Sequence, residues 1–423
     1  MPVREQPKRS IKFKSHLIPV LVLILLGIQL FFPFKGWVIL LSGFGGIWLL
    51  SYTWARALKN GLRLEREMRF GWMQVGDQLQ ERIALENDSR IPALWVQVSD
   101  HSNLPGYSIS SVTTVRSQWY HHWFRHGVCA RRGIYTLGPT SLETGDPFGV
   151  YKVRVDYGET VTMMVVPPVI PLPEIEIAPG GRTGEGHSTG RGLEQTVNAG
   201  GVREYVPGDS LRWIHWGTTA RKGKPYVRVF DHTPSSNWWI MLDMDPEVQV
   251  GEGQHSTEEH GVILAASLVH RGLQMGKLVG LIAHGDELIW QPPSQGDTHL
   301  WRILRSLAKV HPSGPPLTEL LEHTRISLEQ HTSLIVITPR LNPEWLGSLG
   351  LLQRGGVVPT ILLLNPVSFG GVGNPRPIQN KLLALGIKHY NINADLQDRS
   401  ENVSAPQDPS TSNRLTSYWR RLS

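Results

Sequence analysis

The sequence predicts three architectures in series: two N-terminal transmembrane helices, an all-β sandwich-like region, and an α/β domain on a mostly parallel sheet. Three observations carry this. Two apolar runs, 15–34 and 37–52, are each close to the roughly 20 residues that cross a bilayer. Apolar and polar residues alternate through 63–166, interrupted by turn signals, which is the pattern of short half-buried strands. Beyond Asp231, apolar runs alternate with helical periodicity, as strands do with the helices that cover them. With 423 residues, the chain exceeds what one core organises. The reading divides it into a basic start and transmembrane hairpin (1–60), a sandwich-like domain (61–166), a Pro/Gly-rich linker (167–199), an unusual motif (200–231), the α/β domain (232–394) and a disordered polar tail (395–423).

The apolar pair is read as a hairpin because only Lys35-Gly36 separates its halves. It is not read as a cleaved signal: the first run is too long and no small-x-small site follows it. Arg4, Lys8, Arg9, Lys12 and Lys14 precede the pair, and Arg56, Lys59, Arg63, Arg66 and Arg69 follow it. The positive-inside rule then puts the protein in the inner (cytoplasmic) membrane, with both termini and the soluble domains in the cytoplasm. The net charge is +6 with only 18% charged residues. Many of the basic ones flank the apolar runs, which argues for membrane topology and against nucleic acid as partner. A single cysteine, Cys129, excludes an internal disulfide and fits a reducing compartment.

Within the β region, His121, His122, His126 and Cys129 crowd together, but a tetrahedral metal site needs a second, distant ligand pair that the region lacks. They read as strand residues among Trp119, Trp123 and Phe124. Asp146-Pro147-Phe148-Gly149 reads as a turn with no chemistry. Pro167, Pro168, Pro171 and Pro173 form a stiff connector. The stretch Gly181 to Ser188 has phosphate-loop spacing, yet His187 stands where the lysine belongs and no buried strand precedes it, so it reads as a surface loop. In the α/β domain the expected strands are 238–243, 278–283, 334–338, 360–365 and 389–392. The expected helices are 258–273, 298–310, 343–354 and 379–385.

The motif is GGVREYVPGDSLRWIHWGTTARKGKPYVRVFD, Gly200 to Asp231. Val202 to Val206 predicts a strand, Pro207-Gly208 a turn, and Asp209 a helix N-cap. Stepping 100° per residue spreads Leu211, Trp213, Ile214, Trp216 and Ala220 around most of the helix, so it is expected to be largely buried. Arg212 and His215 then need partners, with Asp209, Glu204 and Tyr205 nearest in sequence.

The residues Arg203, Glu204, Tyr205, Gly208, Asp209, Arg212, Ile214, Trp216, Ala220 and Arg221 resemble, in order, the signature of a bacterial family known as domain of unknown function 58. The segments Arg132 to Pro139 and Asp146 to Gly149 support the resemblance. It implies a von Willebrand factor A-like α/β domain, in which the first strand would end in Asp-x-Ser-x-Ser holding a divalent cation. Here Asp243, Asp245 and Glu247 occupy that place. Three carboxylates suit Mg²⁺ or Mn²⁺, but they also repel, and Arg340 after a later strand can replace the cation's charge, leaving a metal-free turn.

The resemblance also implies a link to MoxR-type AAA+ ATPases and to other membrane proteins. The leading expectation is therefore a membrane-anchored, cytosol-facing adaptor that works in assembly or maturation of envelope or other complexes. Its partner surface would contain Arg203, Glu204, Tyr205, Gly208, Asp209, Arg212, His215, Trp216 and Arg221. The motif has a second reading, as an ion-paired brace between the two soluble regions. The rival function is a metal-assisted hydrolase at the membrane face, with His215 as general base near Asp243.

Overall fold

Two helices leave a β-sheet and return to it. In the computed structural model, which describes residues 6–67, 71–180, 199–206, 214–230 and 237–395, β1 (Lys8–Phe13) precedes α1 (Leu17–Phe31) and α2 (Lys35–Gly61), and α2 runs directly into β2 (Leu62–Glu67). Among the described residues only α2, with 27 residues, is long and apolar enough to cross a membrane. The 15 residues of α1 rise about 22 Å, short of the ~30 Å hydrocarbon core. The expected pair of full spans is thus corrected to one long apolar helix and one short one.

The basic N-terminal stretch is also more than a flank. β1 pairs antiparallel with β10 (Tyr151–Tyr157), from Lys8 opposite Asp156 to Phe13 opposite Tyr151. Its side chains alternate too weakly in polarity for the period-2 signal to appear in sequence. The remaining strands here are β3 (Trp72–Gln74), β4 (Gln78–Asn87), β5 (Ala93–Asp100), β6 (Ser111–Val115), β7 (Trp119–Val128), β8 (Gly133–Leu137), β9 (Thr140–Gly145) and β11 (Val161–Val166). They form three sheets, ordered β1-β10-β9-β5-β6, β2-β4-β7 and β3-β11-β8. All three feed one core, with Val96, Val98 and Leu142 from the first, Leu64, Ile83 and Leu85 from the second, and Met73, Leu137 and Met163 from the third. The C-terminal part of α2 packs on this body: Ser51, Ala55 and Leu58 are buried, and Trp48 Nε1 donates to the Tyr151 hydroxyl at 2.7 Å.

Residues 167–180 are extended, as the prolines dictate, but they are bound along their length. Ile170 N donates to Ser267 Oγ, Ala178 N to Thr360 Oγ1 and Gly180 N to Ser333 Oγ, at 2.9–3.0 Å. Ile175 is buried in the α/β core. Next come β12 (Ala199–Glu204), α3 (Trp216–Lys222) and β13 (Tyr226–Phe230), with β12 and β13 paired in a two-stranded sheet. The glycine-rich stretch Gly181 to Ser188, read as a surface loop, and the polar tail after Asp395 lie outside the described residues.

The α/β domain contains β14 (Trp238–Leu242), α4 (Thr257–Gln274), β15 (Val279–His284), β16 (Leu288–Ser294), α5 (Asp297–Lys309), α6 (Leu317–Thr324), β17 (Ser333–Thr338), α7 (Leu346–Arg354), β18 (Val358–Leu364), α8 (Arg376–Ala384) and β19 (Lys388–Ile392). The sheet order is β16-β15-β14-β17-β18-β19. Every neighbouring pair is parallel except β15 with β16. Helices α4 and α5 cover one face and α6, α7 and α8 the other, which buries both faces of the parallel strands. The five strands expected from sequence are present within two residues. β16 was not expected because Pro292 and Pro293 interrupt it, and prolines are tolerated only where an edge strand needs no second partner.

Candidate functional site

Two places concentrate the residues singled out in the sequence. The first is the motif, which folds as a small arm. β12 and β13 run antiparallel, Glu204 opposite Tyr226 and Arg203 opposite Val227. Tyr205 N donates to Pro225 O at 2.9 Å and His215 N to Tyr226 O at 2.7 Å, so backbone bonds hold α3 against the strand pair. α3 is shorter than expected and starts at Trp216, with His215 as its N-cap. The His215 ring accepts the Thr218 N–H at Nδ1, 3.1 Å away, which satisfies one of the helix's free donors. Gly223, at φ +67°, closes the helix in the left-handed conformation that glycine adopts without strain.

The expected burial of this helix is corrected: no α3 residue is buried, and Trp216 is 71% exposed. Val202 and Val206 are exposed as well. His215 finds its partner in Thr218 and not in Glu204 or Tyr205. Glu204 instead pairs with Lys224 at 3.1 Å, both well exposed, an interaction of little energetic weight. Arg203, Glu204, Tyr205, His215, Trp216 and Arg221 therefore share one exposed module. Gly208, Asp209 and Arg212 lie outside the described residues.

The second place is the carboxyl end of β14. It borders β17 where the strand order reverses, the usual ligand crevice of such sheets. Asp243 is buried. Its Oδ2 accepts from Thr338 Oγ1 at 2.6 Å and lies 3.7 Å from Arg340 Nε, while its Oδ1 accepts from Asp245 N at 3.2 Å. Asp245 binds Arg340 Nη2 directly, and its Oδ1 accepts the Glu247 N–H at 2.9 Å, capping the short 3-10 turn Pro246–Val248. Burial pushes the Asp243 carboxyl above its usual range, against the lowering effects of Thr338, the Asp245 N–H and Arg340.

Asp243 and Asp245 thus converge on a guanidinium. Among the described residues, no three His, Cys, Asp or Glu side chains are grouped to hold a metal, and the carboxylate oxygens already serve donors within the turn. Chemically the arrangement is a charge-neutralised turn at the switch point. The Asp243, Asp245, Glu247 triad proposed for Mg²⁺ or Mn²⁺ does not come together around a common point. His121, His122 and His126 lie along β7, where His121 stacks on Trp123 at 5.4 Å.

The two places lie at opposite ends of β14 in the chain path. The chain enters the motif after Gly180, bonded to Ser333 Oγ, and leaves it before Asn237, whose carbonyl accepts from Ser333 N. Ser333 opens β17 and stands beside Trp238. The arm therefore springs from the amino ends of the strands, whereas Asp243 follows their carboxyl ends.

A third constellation was not singled out by sequence reasoning. Arg132, quoted only as part of a supporting segment, is buried between the two soluble domains. Its Nε donates to Leu307 O at 3.0 Å, and its Nη2 donates to Val310 O at 2.7 Å and to Glu258 Oε1 at 2.6 Å; Nη1 meets Glu259 Oε1. It joins the first turn of α4 to the last carbonyls of α5, and Trp72 of β3 packs edge-on against Trp301 of α5 at 4.4 Å. Arg132 is thus an inter-domain brace in its own right; the brace reading of the motif turns on Asp209 and Arg212, which lie outside the described residues.

Residues 201–368 match the family described as "Protein of unknown function DUF58". The DUF58 match begins inside β12 and ends just past β18, so it takes in the arm and most of the α/β domain. The chain is 23% identical over 308 residues to the uncharacterized protein YeaD of Bacillus subtilis, covering 70% of this chain and 74% of the relative. It is 26% identical over 174 residues to the uncharacterized protein Rv1480 of Mycobacterium tuberculosis, covering 40% of this chain and 55% of that relative. Among solved structures, proximal thread matrix protein 1 of the mussel byssus shares 16% identity over 40% of this chain and 44% of its own, with a TM-score of 0.29.

Proposed function

We propose that this chain is a membrane-held interaction protein whose DUF58 arm, residues 199–230, is the docking element for a protein partner. The observation that carries this reading is the exposure of an aromatic and basic module: Trp216 stands 71% exposed beside Arg221, Lys222 and Lys224, also exposed. Exposed tryptophans and arginines are typical interface anchors, and Trp216 shares its module with the exposed Val202 and Val206 and does not stand singly. The sandwich and α/β domains supply a stiff base, because Arg132 fixes one to the other.

In this reading α2, with the shorter α1 beside it, anchors the protein in the inner membrane, and the soluble domains face the cytoplasm. The α/β unit is von Willebrand factor A-like, which its strand order and the acidic turn after the first strand support. The partner is a MoxR-type AAA+ ATPase, and the process is assembly or maturation of envelope or other protein complexes.

In-cell crosslinking of the full-length protein, followed by mass spectrometry of what co-purifies from membranes, tests the reading. The expected result is an AAA+ ATPase whose yield falls at least tenfold with Trp216→Ala and Arg221→Ala. Equal recovery of every partner with both variants would remove the arm from the interface.

A further inference from the structure

The turn Asp146-Pro147-Phe148-Gly149 has no role in the docking surface, yet it is rigidly built. Asp146 is buried; one of its oxygens accepts the Phe148 N–H at 2.9 Å and the other the Tyr151 N–H at 2.5 Å. Gly149 takes φ +70°, which glycine adopts without strain. This scaffolding holds Phe148 46% exposed. The position of the turn is defined by the chain beside it: the N–H groups of Lys14 and Ser15 both donate to Val150 O, at 2.8 and 3.3 Å. Only His16, the N-cap of α1, separates those two residues from the helix.

The same end of the first sheet gathers other side chains of one character. Phe13 is 46% exposed and packs on Tyr151 at 4.8 Å. Leu94 is exposed, and Trp95 lies beside Gly145, at the start of the turn. The Lys14 ammonium sits 6.0 Å from the Trp95 ring, and Lys12 stands exposed on β1. Aromatic rings with lysines around them are the composition of a bilayer's headgroup layer.

The dimensions of the hairpin point the same way. α2 first meets the sandwich at Trp48, which bonds Tyr151, and Lys35 to Trp48 rises about 20 Å. α1 rises about 22 Å. A hairpin that projects less than the ~30 Å hydrocarbon core draws the body at its base toward the lipid.

We propose that this end of the sheet, formed by Phe13, Lys14, Leu94, Trp95 and Phe148, lies in the headgroup layer of the membrane, with Phe148 seated among the upper acyl chains. The inference rests on the reading of α1 and α2 as a membrane anchor. It turns the Asp146–Gly149 turn into a lipid contact that sets how the soluble body is held over the membrane.

Depth-resolved quenching in the full-length protein tests it. A fluorophore is placed through Phe148→Cys or, as a second position on the same rim, Leu94→Cys, in vesicles of phosphatidylcholine and phosphatidylglycerol containing brominated lipid. Leu26→Cys in α1 reports the anchor and Ile326→Cys, 90% exposed, the far body. The native Cys129 is fully buried with its thiol pushed up to about 11, so it stays unlabelled. The expected result is at least twofold quenching of both rim labels by shallow bromines, of the Leu26 label by deep bromines, and none at Ile326. Quenching at Leu26 with none at either rim position would overturn the lipid contact and keep the anchor. No quenching at Leu26 would overturn the anchor itself and the contact with it.

Discussion

Arg132 answers two needs at once, and its removal is the most informative single change. Its side chain is 1% exposed and faces Glu258 and Glu259, whose charges otherwise crowd the first turn of α4. It also satisfies two carbonyls at the end of α5 that have no helical partner. Arg132→Ala leaves acids and carbonyls without their donor, and the expected cost is about 3–5 kcal/mol. Arg132→Lys should recover only part of it, since one ammonium cannot reach both helices in the fork geometry. Denaturant unfolding of the detergent-solubilised protein checks both values, and a loss below 1 kcal/mol would dismiss the brace. Asp243 gives a second prediction with a definite sign. Its carboxyl is raised in the folded state, so the folded chain holds the proton more tightly than the unfolded one. That stabilisation is complete below the ordinary carboxylate value of about 4 and is lost as pH rises through the raised one. Asp243→Asn should flatten the melting temperature against pH across this window. An unchanged slope would mean that Asp243 does not titrate there.

At the scale of elements, α3 depends on its cap. A helix of seven residues is far below the length at which helices persist alone, so His215 contributes by accepting the Thr218 N–H. His215→Ala should cost about 1 kcal/mol and speed amide exchange in 217–222 about fivefold; unchanged exchange would show that the strand pair alone holds the turn. This element also marks where the sequence misled. Its Trp and Ile residues read as core because the same side chains build cores and exposed contact surfaces. Ile214 joins Val227 in a β-bridge and not the apolar face of a longer helix. By contrast, β14, β15, β17 and β18 were legible, because strands buried on both faces are continuous apolar runs. The acidic turn was legible as Asp243 and Asp245, with Arg340 as the alternative to a cation. What was not legible was any pairing set by tertiary structure: Arg132 with α4 and α5, or β1 with β10. Nothing local to Lys8–Phe13 distinguishes a strand from a basic flank.

That pairing decides how the whole molecule is organised. Because β1 and β2 both belong to the sandwich, the helical hairpin is an insertion within that domain and not a tether in front of it. A fragment starting at Gly61, the natural choice if the anchor ended at residue 60, would strip β1 from β10. It would leave an open edge strand and uncover Val150, Tyr151 and Val153, which pack with Ile11, Ile18 and Trp48. Such a fragment should aggregate. Replacing residues 19–47 with about eight Gly and Ser residues should not, because Ile18 and Trp48, which pack in one cluster, are kept and a flexible linker of that length spans roughly 15 Å. Size-exclusion chromatography and thermal melts of the two proteins separate the cases. The linked form should elute as a single species and melt at least 5 °C higher than whatever soluble fraction the truncated form yields. Equal behaviour would show that the sandwich closes without β1, and the hairpin would then be a tether that can be removed without consequence for the fold.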